Sequence, residues 1–475
     1  MPARHTRLSP SAVQTALGES LAELRRSLEL PESFPPEVVA EAEDIVASGT
    51  AVDGSDDERA DLRDLPFLTI DPEGSRDLDQ AMHIAREGDG FVVHYAIADL
   101  AAFVRPGGAI DAEAQRRGQT LYAPDGSVPL HPEVLSHGAA SLLPDEDRRA
   151  CVWRFALDAE GRHGPDDVTL VRAWVHSRGQ WAYEGAQAAI DAGTGPETLA
   201  LLAELGPLRI AQEARRGGAS LNAPEEEIVD GPDGYEIQRR ALLPVEDWNA
   251  QISLMTGMAA ADIMLSAGRG IVRTLPPADE ESRAEFRRQV ALLGRPWPED
   301  LDYGEYLRRL DPADDATPAI LQAASALFRG ADYVAFLSPD EIPADVEQAA
   351  IGAPYAHATA PLRRLVDRYT LRACLGDVDE EVLPRLPEIM RRSSALASRL
   401  ESGAVDRVEA AVLHRRIGQV LDAVVLSQTK GGSRVQLADP FVTATVPEAV
   451  EPGTRIRVRV EATDIATGSV TLSAE

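Results

Sequence analysis

The apolar positions change period along the chain. Leu17, Leu21, Leu24 and Leu28 recur at helical spacing, so residues 9–30 are expected to form an amphipathic helix, with Ser9-Pro10 as cap and first-turn proline. A second helix is expected from Pro36 to about Ala47, with Val38, Val39, Ala42, Ile45 and Val46 inward. Residues 49–63 are polar and acidic and read as a linker. From 64 to about 180, short β-rich runs (65–70, 91–97, 152–157 and 168–176) alternate with loops. From 180 to 410 the pattern is mostly helical, with helices expected over 196–205, 246–266, 281–293 and 387–414. Strands followed by helices point to an α+β domain.

The tail changes character again. Segments 418–425, 432–437, 441–446, 455–460 and 470–472 are short alternating runs with turn residues between them. Five such strands in so short a tail suit an OB-type barrel. The expected organisation is therefore a helical element and acidic linker over 1–60, an α+β domain over 61–415 and a barrel over 416–475.

Composition narrows the class. At 475 residues the chain has room for several domains, and its 44% hydrophobic content is ordinary for a globular protein. No apolar run reaches membrane-spanning length, and residues 1–9 do not resemble a signal peptide. Cys151 and Cys374 are far apart and lack any Cys/His metal spacing, which fits a cytoplasmic, reducing location. The net charge of −31 opposes nucleic-acid binding unless a local basic path exists. Lys430 is the only lysine, so arginine must line any such path. Arginine suits that task, because its guanidinium forks onto phosphate and stacks on bases. The tail is nearer charge balance, and Phe441 is its candidate stacking platform, set against a plain core role.

The candidate chemistry sits where the run 65–70 ends. Asp71, Asp77 and Asp79 follow in a D-x5-D-x-D spacing, with Pro72 and Gly74 breaking the strand. Carboxylates converging at a strand end suit a hard cation such as Mg2+, against the alternative of a solvated acidic loop. The EF-hand offsets are absent.

Residues 69–82 resemble the signature of the ribonuclease II (RNB) family of 3′-to-5′ exoribonucleases. The likeness continues through Ala96-Ile97-Ala98-Asp99, Gly108 to Ala114, Arg117-Gly118, Leu121-Tyr122-Ala123-Pro124, Val128 to Ser136, Ala140 to Pro144 and Tyr355 to Arg364. It extends over roughly residues 60 to 415, and the tail is similar to an S1 RNA-binding domain.

The resemblance implies a hydrolase that threads single-stranded RNA by its 3′ end and releases nucleoside 5′-monophosphates processively. It implies Mg2+, with Mn2+ as a substitute, held by Asp71, Asp77, Asp79 and the fourth acidic position. Here that position is Gln80, which offers a neutral carbonyl oxygen. Arg363 matches the arginine on the scissile phosphate, and Asp77 and Asp79 join it as catalytic candidates. Tyr122, Tyr183 and Glu401 match RNA-contacting positions, and Ile228 falls near an aromatic one. Arg364, Arg368 and Arg372 either track the RNA backbone or pair with acidic neighbours. Relatives usually carry cold-shock-type barrels before the catalytic domain, where this chain has about 60 residues of helical pattern. That element is either a packing appendage or an RNA contact. The partner expected is single-stranded RNA, with no membrane and a monomeric state. The competing reading is an RNA-binding protein on an inactive scaffold, with Gln80 as the first lesion.

Overall fold

The computed structural model describes residues 6–8, 16–219, 225–231, 234–240, 242–311, 314, 316–440 and 442–475; the side chains of 6–8, 225–239 and 318 lie outside the description. Ser9-Pro10, Phe441 and the Ile228 side chain therefore fall outside the described residues.

The centre is a closed five-stranded barrel. Strands β2 (Phe67–Asp71), β3 (Gln80–Glu87), β4 (Gly90–Ala98), β5 (Asp147–Leu157) and β6 (Val168–Ala182) follow in that order, and β6 returns to pair with β2. A two-residue strand, β1 (Ala60–Asp61), adds to β6. All contacts are antiparallel except β1 with β6 and the closing pair of β2 with β6. That closing pair aligns Asp71 with Ala182, so both strands end at the same rim. Met82, Ile84, Val93, Tyr95, Trp153 and Phe155 belong to the main buried cluster. Closure leaves no unpaired edge in this sheet.

Three helices cover one side of the barrel: α4 (Tyr183–Ala192), α5 (Glu197–Arg215) and α6 (Pro244–Ala267). Among the described residues, α6 alone is long and apolar enough to cross a membrane. Its Ile252, Met255, Ala259, Ala260 and Met264 are buried in the barrel cluster, which marks it as a core helix. It comes so close to the segment at Tyr355 that a Cβ on Gly257 would lie 2.1 Å from the Tyr355 ring. Two short antiparallel strands, Gly270–Thr274 and Asp332–Phe336, interrupt the stretch expected to be mostly helical, as do Glu225–Gly231 and Gly234–Arg240.

The expected linker is built into the fold. Asp56 accepts two hydrogen bonds from Arg149 (2.6 and 2.7 Å) and one from the Ala51 amide (2.8 Å). Arg59 and Asp99 form a buried ion pair at 2.7 Å. The polar composition of this segment reflects pairing with the barrel wall.

The N-terminal helix α1 (Ala16–Ser27) buries Leu17, Leu21 and Leu24 against α8 (Leu386–His414) and the hairpin Leu121–Ala123/Gly126–Val128. Arg25 reaches Asp125 in the hairpin turn at 2.5 Å, and the Ser20 hydroxyl donates to the Ile465 carbonyl at 2.6 Å. The element packs, as the first of its two expected roles requires. The tail forms a five-stranded antiparallel sheet of β7 (Val420–Thr429), β8 (Gly432–Leu437), β9 (Thr443–Val446), β10 (Arg455–Asp464) and β11 (Ser469–Ala474), ordered β9-β8-β7-β10-β11. Its core takes in Leu413 from the end of α8.

Candidate functional site

The aspartates gather at the rim where β2 ends and β3 begins. The loop between them is fixed by its backbone. Gly74 turns it with φ of +80°, a conformation that favours glycine. The Gln180 side chain donates to the Ser75 carbonyl (2.7 Å). The Ser141 hydroxyl donates to the Arg76 carbonyl (2.7 Å) and accepts from the Leu78 amide (2.9 Å). The Ala98 amide donates to the Asp79 carbonyl (2.9 Å). Two of the sequence blocks, 96–99 and 140–144, therefore hold the aspartate loop in place. Ser141 and Gln180 belong to the site's support, and the D-x5-D-x-D spacing alone gave no sign of them.

Asp79 is buried. One carboxylate oxygen accepts from the Leu362 amide at 2.8 Å, and the other lies 3.9 Å from Arg363 Nε. Burial pushes its pKa well above the ordinary carboxylate value, opposed by Arg363 and the Leu362 hydrogen bond. Burial also raises Asp71 to about 7; the charge on Asp77 adds to the rise and Arg363 opposes it. Among the described residues no three His, Cys, Asp or Glu side chains form a ready-made metal cage. The donor chemistry still fits a divalent cation. Asp77 is electrostatically coupled to both Asp71 and Asp79, and Arg363 is the cation that offsets both raised groups. A hard cation with oxygen ligands would relieve that strain.

Gln80 opens β3 beside them. Its amide nitrogen donates to the Thr359 carbonyl at 2.6 Å. Its side-chain oxygen accepts from the Tyr95 hydroxyl at 2.7 Å, with the Ser253 hydroxyl at 3.4 Å. Both ends of the amide are engaged.

Arg363 enters from the opposite side, on the loop before α7 (Leu365–Cys374). Its side chain is 42% exposed, so its guanidinium is open to a ligand. Its carbonyl accepts from the Thr120 amide (2.9 Å), and the Leu365 amide donates to Gly118 (3.0 Å). Those two contacts join the arginine loop to the strand leading into Tyr122. Tyr122 is 50% exposed on its hairpin. Desolvation raises its phenol to about 12, opposed by Arg363 and reinforced by Asp77 and Asp79. Tyr183 begins α4 directly after Ala182, the residue paired with Asp71, so it stands at the same rim. Glu401 lies on α8 next to Leu400, which packs with Leu121 of the Tyr122 hairpin.

The neighbouring arginines have their own partners. Arg364 is held by Asp367 through two 2.8 Å bonds, Arg368 by buried Asp111, and Arg372 by Asp377 (2.8 Å) and Asp379 (3.4 Å). Of the two readings open for them, ion pairing is the one this geometry supports. Arg363 keeps its guanidinium partly exposed beside Asp79, and Arg76 is exposed in the aspartate loop itself.

Residues 59–374 match the RNB domain. The chain belongs to the RNB family. Residues 419–475 match the RNase II-type exonuclease C-terminal S1 domain. Ribonuclease R of Escherichia coli (strain K12) is 27% identical over 444 residues, covering 82% of this chain and 51% of that protein, so the chain spans about half that relative's length. Among solved structures, Mycoplasma genitalium RNase R in complex with ribose-methylated single-stranded RNA is similar with a TM-score of 0.82 at 18% identity, covering 97% of this chain and 78% of the other. Yeast Ssd1, a pseudonuclease, is similar with a TM-score of 0.69 at 15% identity, covering 95% and 59%. At these identities the structural likeness carries the RNB fold alone. The α+β architecture with a C-terminal OB-type S1 barrel agrees with the sequence expectation.

Proposed function

We propose that this chain is a divalent-metal-dependent, hydrolytic 3′-to-5′ exoribonuclease of single-stranded RNA. The observation that carries the reading is the facing pair of Asp79 and Arg363: an acidic rim on one side and one exposed guanidinium on the other, 3.9 Å apart. Phosphodiester hydrolysis needs an activated water and neutralised charge on phosphate and leaving group, and bound divalent cations supply both. Asp71, Asp77 and Asp79 would hold Mg2+ or Mn2+; the Gln80 oxygen, a further donor by the family resemblance, already accepts from Tyr95 and Ser253. Arg363 binds the scissile phosphate and stabilises the charge that develops there. Tyr122 stacks on a base upstream, Tyr183 abuts the 3′-terminal nucleotide, and Glu401 holds the terminal ribose. The S1 barrel adds backbone affinity away from the chemistry. The protein acts in the cytoplasm as a monomer.

The test is a 5′-labelled single-stranded RNA incubated with and without Mg2+. The expected result is a ladder shortening from the 3′ end only with the metal, alongside released nucleoside 5′-monophosphates. A second reading, RNA binding on an inactive scaffold, draws on Gln80, which is not a carboxylate. It requires tight RNA binding with no ladder at any Mg2+ or Mn2+ concentration.

A further inference from the structure

The surroundings of Gln80 are built for an amide. The Thr359 carbonyl receives a hydrogen bond from the Gln80 nitrogen at 2.6 Å. Only a donor can satisfy that contact. On the other side, the Tyr95 hydroxyl, itself fully buried, donates to the Gln80 oxygen at 2.7 Å, and Ser253 supports both hydroxyl and oxygen. Tyr95 is on β4 and Ser253 on α6, so the acceptor end is anchored to two core elements. The donor end grips the loop four residues before Arg363. Among the described residues that loop has one other hydrogen bond to the acidic rim, Leu362 amide to Asp79 at 2.8 Å, beside the longer Arg363–Asp79 ion pair at 3.9 Å and the burial of Leu362 in one cluster with Leu78. Its remaining ties, Ala360 to Asp367 and Thr120 to Arg363, lead away to α7 and the Tyr122 hairpin.

We infer that Gln80 is a positioning residue: it clamps the Thr359–Arg363 loop to the barrel rim and so sets Arg363 over the aspartates. This inference rests on the exoribonuclease reading. It assigns the cation to Asp71, Asp77 and Asp79 without residue 80. An aspartate at 80 would be one methylene shorter and would offer acceptors only, facing the Thr359 carbonyl across the gap the amide now bridges. A glutamate would match the length but set oxygen against oxygen. Either change leaves a buried carbonyl without its donor, a loss that weakens what depends on the contact by roughly tenfold.

The experiment measures binding in EDTA, so that turnover plays no part. The probe is a fluorescent 12-nucleotide oligo(A) with a free 3′ end. Gln80→Glu is expected to weaken binding about tenfold, and Tyr95→Phe, which releases the other end of the amide, to weaken it less. The effect of Gln80→Glu should vanish in the Arg363→Ala background, because the clamp acts through that arginine. Equal losses with and without Arg363 would overturn the positioning role. Calorimetric titration of metal-free protein with Mn2+ forms the second arm. Gln80→Asp is expected to bind Mn2+ no more tightly than the parent. Tenfold tighter Mn2+ binding with unchanged oligo(A) affinity would overturn the inference and return position 80 to the ligand set. Thermal melts verify that each variant folds. Failure of the exoribonuclease reading shows elsewhere, as a parent protein that yields no Mg2+-dependent ladder.

Discussion

At the scale of single residues, the site separates side chains that do chemistry from those that hold them. Asp79 combines both duties, since one oxygen anchors Leu362 while the other faces Arg363. Asn at this position keeps the anchoring acceptor and removes the charge. Asp79→Asn is therefore expected to retain RNA affinity and lose about 100-fold or more in single-turnover rate, the scale of removing one preorganised electrostatic group. Near-parental rates would refute its assignment. Tyr122 is the exposed ring on its hairpin. A base–aromatic stack contributes about 1–3 kcal/mol, so RNA too short to reach the ring dissociates sooner. Tyr122→Ala should leave longer end products on labelled poly(A) at an unchanged cleavage rate per bond. An unchanged end product would move the release point elsewhere. The place of Asp71, Asp77 and Asp79 at a strand end was legible in their spacing after an apolar run. Arg363 could be reached only through the family resemblance of its segment, since its residue type alone does not set it apart from Arg364. The role of Ser141 was not legible, because a hydroxyl bonded to two backbone groups of a distant loop leaves no local pattern.

Elements were legible where apolar periodicity survived. The long helix α8, strand β4 and the tail strands all follow it. The helix α3 (Ala109–Arg117) did not announce itself, because it buries Asp111 and Glu113 against Arg368, Arg116 and Arg117. Paired charges fill core positions there, so a hydrophobic count sees a polar loop. The acidic segment after Gly49 misled for the same reason. Asp56 is a tethering group, with its pKa lowered to about 2 by hydrogen bonding to Arg149, against the desolvation of its burial. A carboxylate depressed in the folded state stabilises above its unfolded pKa of about 3.9, and the contribution fades as pH falls toward 2. Asp56→Asn should therefore cost on the order of 1 kcal/mol at pH 7 after solvent screening, and less at pH 3. Urea unfolding at both pH values measures it; an equal difference at the two would assign the loss to packing.

For the whole molecule, the net charge of −31 goes with arginines that are largely matched to acids near the site, Arg364, Arg368 and Arg372 among them, while Arg363 is partly exposed and Arg76 is exposed in the aspartate loop. Charge counting alone could not reveal that distribution. The S1 barrel contains none of the acidic cluster, so its contribution should appear in affinity. Removing residues 417–475, with Leu413→Gln because the barrel covers that leucine, should weaken binding of long RNA. Single-turnover cleavage at saturating enzyme should persist. Collapse of that rate in a folded truncation would tie the barrel to the chemistry.

The bond from Ser20 to Ile465 spans 445 positions of sequence. Contacts of such separation form late, since the intervening chain must be ordered before they repay loop closure. The wedge of α1 between α8 and the turn at Ile465 is therefore complete only once β10 and β11 are in place. The Tyr122 hairpin leans on the same helix, so its footing is expected to be finished in that same late step.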